Sequence, residues 1–106
     1  MDDLRKDQAF AFRIITASGD ARSMAYGALD AAKVGNYQEA DELLEKAEEA
    51  SAEAHRVQAD LLAAEANGED IKTSIILVHA QDHFMTSMLA IELIREIIDL
   101  HKKMGG

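Results

Sequence analysis

Residues 73–91 read TSIILVHAQDHFMTSMLAI, and the architecture of the chain turns on them. With Ile71 before and Ile94 after, Ile75, Ile76, Leu77, Val78, Phe84, Met85, Met88, Leu89 and Ile91 point to every side of a helix of 3.6 residues per turn. A helix that is apolar all round must be buried all round, and two slender companion helices cannot do that. The reading is therefore an oligomer with this helix innermost. In its middle sits HAQDH, residues 79–83. Polar groups withdrawn from water cost free energy unless they find partners, so the cluster needs a reason.

The remaining composition narrows the class. A chain of 106 residues is one domain by length, 1–106 throughout, with a modest core. No proline, six glycines, 48% hydrophobic residues and only 5% aromatics favour long helices over sheet, so the fold class is all-α. A formal charge of -9 repels a phosphate backbone, which argues against nucleic acid as a partner. With no cysteine there is neither a disulfide framework nor a thiolate metal site. The opening MDDLRKDQAF has no apolar signal core, and Lys72 and HAQDH interrupt the longest apolar run well short of the roughly 20 residues of a membrane span. A soluble, cytoplasmic protein without membrane insertion is expected.

Two glycine stops divide the chain. At Val34-Gly35-Asn36, Gly35 can end one helix and Asn36 can cap the next, with Glu39 completing a capping box. At Asn67-Gly68-Glu69-Asp70 a glycine stop is again followed by an acidic start. The result is three helices, about 4–34, 37–67 and 70–104, each on the order of 30 residues and about 45 Å long, in an antiparallel bundle. The first carries a small-residue stripe, Ala17, Ala21, Ala25, Ala28 and Ala32, that admits a close neighbour, and Gly19 and Gly27 imply close packing or a bend. The second turns Leu43, Leu44, Ala47, Ala50, Ala54, Val57, Leu61 and Leu62 inward and an acidic run from Glu39 to Glu53 largely outward, a solvated face. Residues 31–50 look like part of a tetratricopeptide unit, but no second copy occurs, and the segment reads as a capped helical hairpin.

On the third helix, His79, Asp82, His83 and Thr86 lie at i, i+3, i+4 and i+7, within about 100° of one another, while Gln81 points away. Such a seam of donors and acceptors fits three uses. It can be a satisfied polar network that fixes register between subunits. It can bind a divalent metal through His79, His83 and a carboxylate. Or a neutral imidazole can attack a phosphoryl group, for which histidine's ordinary pKa of about 6.5 leaves a lone pair free, in apolar surroundings that shield phosphohistidine from water. Spacing alone does not choose among them.

VHAQDHFMTSM, residues 78–88, together with the preceding GDARSMAYGALDAAKVGNYQEADELLEKAEEASAEAHRVQADLLAAEANGE, resembles the IIA component of the lactose/cellobiose (N,N'-diacetylchitobiose) branch of the bacterial sugar phosphotransferase system. The likeness runs over nearly the whole chain. Phe84 stands where leucine is common, and the chain starts almost at its first helix, without the extension some relatives carry.

The resemblance implies a homotrimer of three-helix subunits acting as a phosphotransferase component. His79 would be the phosphoryl acceptor, Gln81 and His83 would assist it, and Asp82 would join its copies around a divalent cation, Mg2+ by family expectation, on the threefold axis. The implied partners are the phosphocarrier HPr as donor and the cognate IIB component as acceptor; IIB then phosphorylates a disaccharide entering through the membrane-bound IIC. Two rivals remain. One is a non-enzymatic helical oligomer that binds metal through the seam. The other is a histidine phosphotransfer domain of two-component signalling, which favours four helices and a lysine or glycine pattern missing here. His55 and His101 read as incidental.

Overall fold

The computed structural model describes residues 5–105. Three helices follow in order, α1 (Lys6–Lys33), α2 (Tyr37–Ala66) and α3 (Ile75–Gly105), with no strand among the described residues. The expected start of the first helix at residue 4 lies outside them. They form a rod of 58 × 23 × 20 Å. None of the helices is long and apolar enough to cross a membrane.

Both glycine stops fold as anticipated. Gly35 takes φ 81°, its N–H donates to the Ala32 carbonyl at 3.0 Å, and the Asn36 N–H donates to the Ala31 carbonyl at 2.9 Å. Gly68 repeats the arrangement at φ 86°, with the Gly68 and Glu69 N–H groups donating at 3.1 Å to the carbonyls of Glu65 and Ala64. This paired bonding satisfies the last carbonyls of each helix, and its left-handed residue favours glycine. Asn36 Oδ1 then accepts from the Glu39 N–H at 3.4 Å, which caps α2. The reciprocal bond of a full capping box is not present among the described residues.

The start of α3 corrects the sequence reading. The helix begins at Ile75, not at residue 70, because Ser74 caps it: Ser74 Oγ accepts from the Leu77 N–H at 3.3 Å, and the Ser74 carbonyl accepts from the Val78 N–H at 3.0 Å. Ser74 is selected by a tertiary contact. Asp7 in the first turn of α1 has a side chain only 1% exposed, hydrogen-bonded to Ser74 and gripped by Arg5 through Nε at 3.1 Å and Nη2 at 2.8 Å. Those bonds, Ser74's first and Arg5's second, hold the Asp7 carboxyl below its ordinary value of 3.8 against the opposing effect of burial. Lys6 reaches Glu69 at 2.6 Å, so residues 67–74 lie pinned along the end of α1.

α1 is the shared helix of the subunit. It packs along both α2 and α3, which meet each other only sparsely. Its alanine stripe is buried throughout, as expected, and lets the neighbours approach closely. A Cβ at Gly27 would lie 3.5 Å from Leu43 Cδ1, and one at Gly19 would lie 3.6 Å from His83 Nε2, so both glycines face a neighbouring helix. Ala21, Ala25, Ala28 and Ala32 pack with Ile91, Ile94 and Ile98 in one core cluster; Ala11, Ile14 and Ala17 pack with Ala80 and Phe84 in the other. This register makes α1 and α3 parallel. α2 runs against both, tied to α3 by Asp41–Lys102 at 2.8 Å, an ion pair of Glu48 with Arg95, and a bond from Tyr37 Oη to the His101 carbonyl at 3.0 Å.

One further expectation needs adjustment. Leu62 is 53% exposed, because it faces a surface groove with Ile71 and Leu77 instead of entering the core. The apolar residues of α3 are not buried on every side within one subunit, as expected of a helix with only two companions. Ala80, Phe84, Ser87, Ile91, Ile94 and Ile98 are buried, whereas Val78, Met85, Leu89, Leu93 and Leu100, all more than half exposed, form a stripe along the opposite face.

Candidate functional site

The HAQDH cluster lies in the second turn of α3 and straddles the edge of that stripe. His79 is exposed and His83 half-buried one turn further on. Their rings are 5.9 Å apart between centroids, with planes inclined by 27°, as i, i+4 spacing on a helix dictates. His83 is held at the α1 boundary, where the missing side chain of Gly19 leaves space beside its Nε2. His79 is thus the accessible imidazole and His83 the supported one.

Asp82 is exposed and sits within the apolar stripe, between Val78 and Met85. Its carboxylate joins no ion pair among the described residues. The fourth member of the seam behaves otherwise than expected. Thr86 Oγ1 donates back to the carbonyls of Asp82 at 2.9 Å and His83 at 3.2 Å, a local bond that helical threonines commonly make. Its proton is used by its own helix, whereas the side chains of His79, Asp82 and His83 make no hydrogen bond among the described residues.

Gln81 lies on the other flank of α3, toward α2, as its spacing requires. It is half-buried, and its Oε1 accepts from Gln58 Nε2 at 2.9 Å. The sequence reading assigned Gln58 no role; its only signal was its place in AHRVQ, residues 54–58, where it shares the inner half of α2 with Ala54 and Val57. His55 is exposed, its ring 6.1 Å from Phe84 and tilted by 41°, and His101 contributes only a backbone carbonyl to the bonding described above.

A single chain therefore presents an accessible nucleophilic nitrogen on His79, a second imidazole beside it, and a solitary carboxylate. Among the described residues no three histidine, aspartate or glutamate side chains converge as metal ligands within one chain. Asp82 supplies hard oxygens suited to a divalent cation, but one carboxylate is too few to hold it.

Comparison with known proteins identifies the frame that carries this site. The family model described as "PTS system, Lactose/Cellobiose specific IIA subunit" matches residues 9–102. The lactose-specific EIIA component of Staphylococcus epidermidis is 47% identical over 96 residues, 91% of this chain and 92% of that protein. Among solved structures, the PTS cellobiose-specific enzyme IIA of Bacillus anthracis superposes with a TM-score of 0.92 at 45% identity, covering 96% of this chain and 94% of the other. The IIA(Chitobiose) structure from the complex with HPr of the Escherichia coli phosphotransferase system gives a TM-score of 0.82 at 43% identity, over 97% of this chain and 100% of that one. Each relative is a phosphotransferase component, which leaves the non-enzymatic metal-binding oligomer without support. From its sequence, its three-helix frame and these likenesses, the chain belongs to the lactose/cellobiose-specific IIA family of the bacterial sugar phosphotransferase system.

Proposed function

We propose that His79 is the phosphoryl carrier of this chain, taking the group from phospho-HPr and giving it to the IIB component during uptake of a disaccharide in the cytoplasm. The observation that carries the reading is the exposed imidazole of His79 on α3, set at the edge of an uncovered apolar stripe in a chain of this family. Its unprotonated ring nitrogen attacks phosphorus in line, a new N–P bond forms, the N–P bond of the donor histidine breaks, and the electron pair returns to the donor ring. The second step repeats the exchange, with a cysteine thiolate of IIB as nucleophile and His79 as leaving group. Positioning and charge stabilisation supply most of the rate in such transfers. The complex of a 43% identical relative with HPr supports the choice of donor. The relatives are specific for lactose, cellobiose and chitobiose, and the sugar class stays at that breadth.

The stripe of Val78, Met85, Leu89, Leu93 and Leu100 suits a homotrimer with α3 innermost. Asp82 then faces the axis. Three carboxylates at about 4 Å would repel by roughly 4 kcal/mol per pair at an effective dielectric of 20, and a divalent cation such as Mg2+ would relieve that repulsion with oxygen ligands. On the helical wheel His79 and Gln81 stand about 80° to either side of the stripe. Around a threefold axis opposite flanks of neighbouring α3 helices meet, so the Gln81 amide of one copy faces His79 of the next, and His83 stands behind His79 as its orienting neighbour.

Incubation with phosphoenolpyruvate, enzyme I and HPr should label the chain in an acid-labile, base-stable way, and His79→Ala should abolish the label. Undiminished labelling of that variant would defeat the assignment. Sedimentation as a monomer at micromolar concentration would defeat the trimer.

A further inference from the structure

We infer that Ile75 of one copy seats in a groove of the next copy, walled by the end of α2, residues 67–74 and the first turn of α3, and that this contact sets the height at which His79 meets the neighbouring Gln81. The contact presupposes the homotrimer with α3 innermost and gives it a register. Two features of the single chain have no use within its own fold. Ile75 is 89% exposed, although it is aliphatic and lies one turn before His79. The other is a groove of about 200 Å³ whose lining includes Leu62, Ile71, Thr73, Leu77, Val78 and Gln81, with Leu62 53% exposed. The stretch that carries Ile71 and Thr73 is held in place by the Lys6–Glu69 and Asp7–Ser74 contacts, so the wall is preformed. On the helical wheel Ile75 stands about 40° from the centre of the apolar stripe on the His79 side, and Gln81 about 80° from it on the other. Around a threefold axis those opposite rims meet, which brings the knob of one copy to the groove of the next. Height agrees as well. Parallel symmetric copies repeat each residue at one level, and at 1.5 Å per residue Ile75 lies within about 5 Å of Val78 along the axis. Seating takes aliphatic surface on both sides out of water, and a knob walled on three sides resists sliding along the axis.

The chain has no cysteine, so an introduced disulfide has no competitor. One cysteine per chain can join at most two copies, whereas complementary cysteines on the two rims close a ring of three. Oxidised Ile75→Cys/Leu62→Cys should therefore run as a covalent trimer on a non-reducing denaturing gel, which neither single variant should do. That linked trimer should still accept the phosphoryl label from phospho-HPr. Ile75→Ala should raise the concentration of half-dissociation by about tenfold or more, and Ile75→Leu, which keeps an aliphatic knob, should restore most of the loss. Because the Ile75 side chain is so exposed in one subunit, its truncation leaves the packing of that subunit intact, and the helix content of Ile75→Ala should match the parent. The inference is overturned if the double variant yields only monomers and dimers while the parent is trimeric, if the linked trimer no longer takes the label, or if Ile75→Ala dissociates at the parental concentration. Failure of the underlying trimer looks different: the parent itself would then sediment as a monomer.

Discussion

The two faces of α3 contain similar side chains and have opposite fates. The inner face, Ala80, Phe84, Ser87, Ile91, Ile94 and Ile98, is closed by α1 and α2 within one subunit. The outer face, Val78, Met85, Leu89, Leu93 and Leu100, is more than half exposed at each position. Hydrophobicity therefore does not tell which residues hold the subunit together and which stay uncovered in one chain; the position of α1 does. The same division explains the polar residues. Asp82 lies on the outer face, His79 and Gln81 stand at its two rims, and His83 is drawn under α1 beside Gly19.

Substitutions on the two faces should fail differently. In the proposed trimer, Leu89→Glu should have the largest effect on assembly, because it would remove roughly 1.5–3 kcal/mol of burial per copy and bring three like charges together. Sedimentation should show dissociated subunits at micromolar concentration. Phe84→Ala, on the inner face, should cost about 3–5 kcal/mol through the cavity it leaves, read as a lowered denaturation midpoint of each subunit. If Phe84→Ala dissociates the assembly without lowering that midpoint, the division between faces is wrong.

Asp82→Leu should convert the outer stripe to a continuous apolar seam. The expected outcome is a trimer whose thermal midpoint no longer responds to chelation, while the parent loses stability when metal is removed. Collapse into unfolded monomers would remove Asp82 from its proposed place on the axis.

On the inner side, the Asp7–Ser74 contact adds a pH dependence. The Asp7 carboxyl is held below its ordinary value of 3.8, so the folded state favours the charged form. Its stabilising effect is fully present above that ordinary value and is lost as pH falls through the lower folded value. Urea denaturation at a series of pH values should show Asp7→Asn less stable than the parent at neutral pH, with the gap closing below pH 3.8. The smallest expected effect is a gain that touches neither face of α3. Gly27→Ala should stabilise by about 0.5–1 kcal/mol, since helix propensity improves and the new Cβ meets Leu43 at an ordinary 3.5 Å.

How much of this was legible beforehand follows from the range of the forces involved. The two glycine turns and the alanine stripe could be read directly, because a left-handed residue and a helical period are local properties of the chain. The start of α3 could not. Asp70 and Ser74 are both acceptable caps, and Ser74 prevails through a partner 67 positions away on α1. The bond of the Thr86 hydroxyl to the preceding turn is local, but helical period records only the face that Thr86 shares with His79 and not the partner of its hydroxyl. Leu62 has the right period for the core, yet it lies where α2 faces the groove beside Ile71 and Leu77.

The sequence by itself determined the helical class, both helix-ending glycines, the grouping of His79, Asp82 and His83, and the family to which the cluster points. Each of these depends on residue type and on spacing within one helix or one turn. Only the tertiary structure decided which side of α3 is closed, that Gln81 is tied to Gln58, and that a buried Asp7 anchors the start of the helix. Those depend on which residues distant in sequence come within a few ångströms of one another, and helical period carries no record of that.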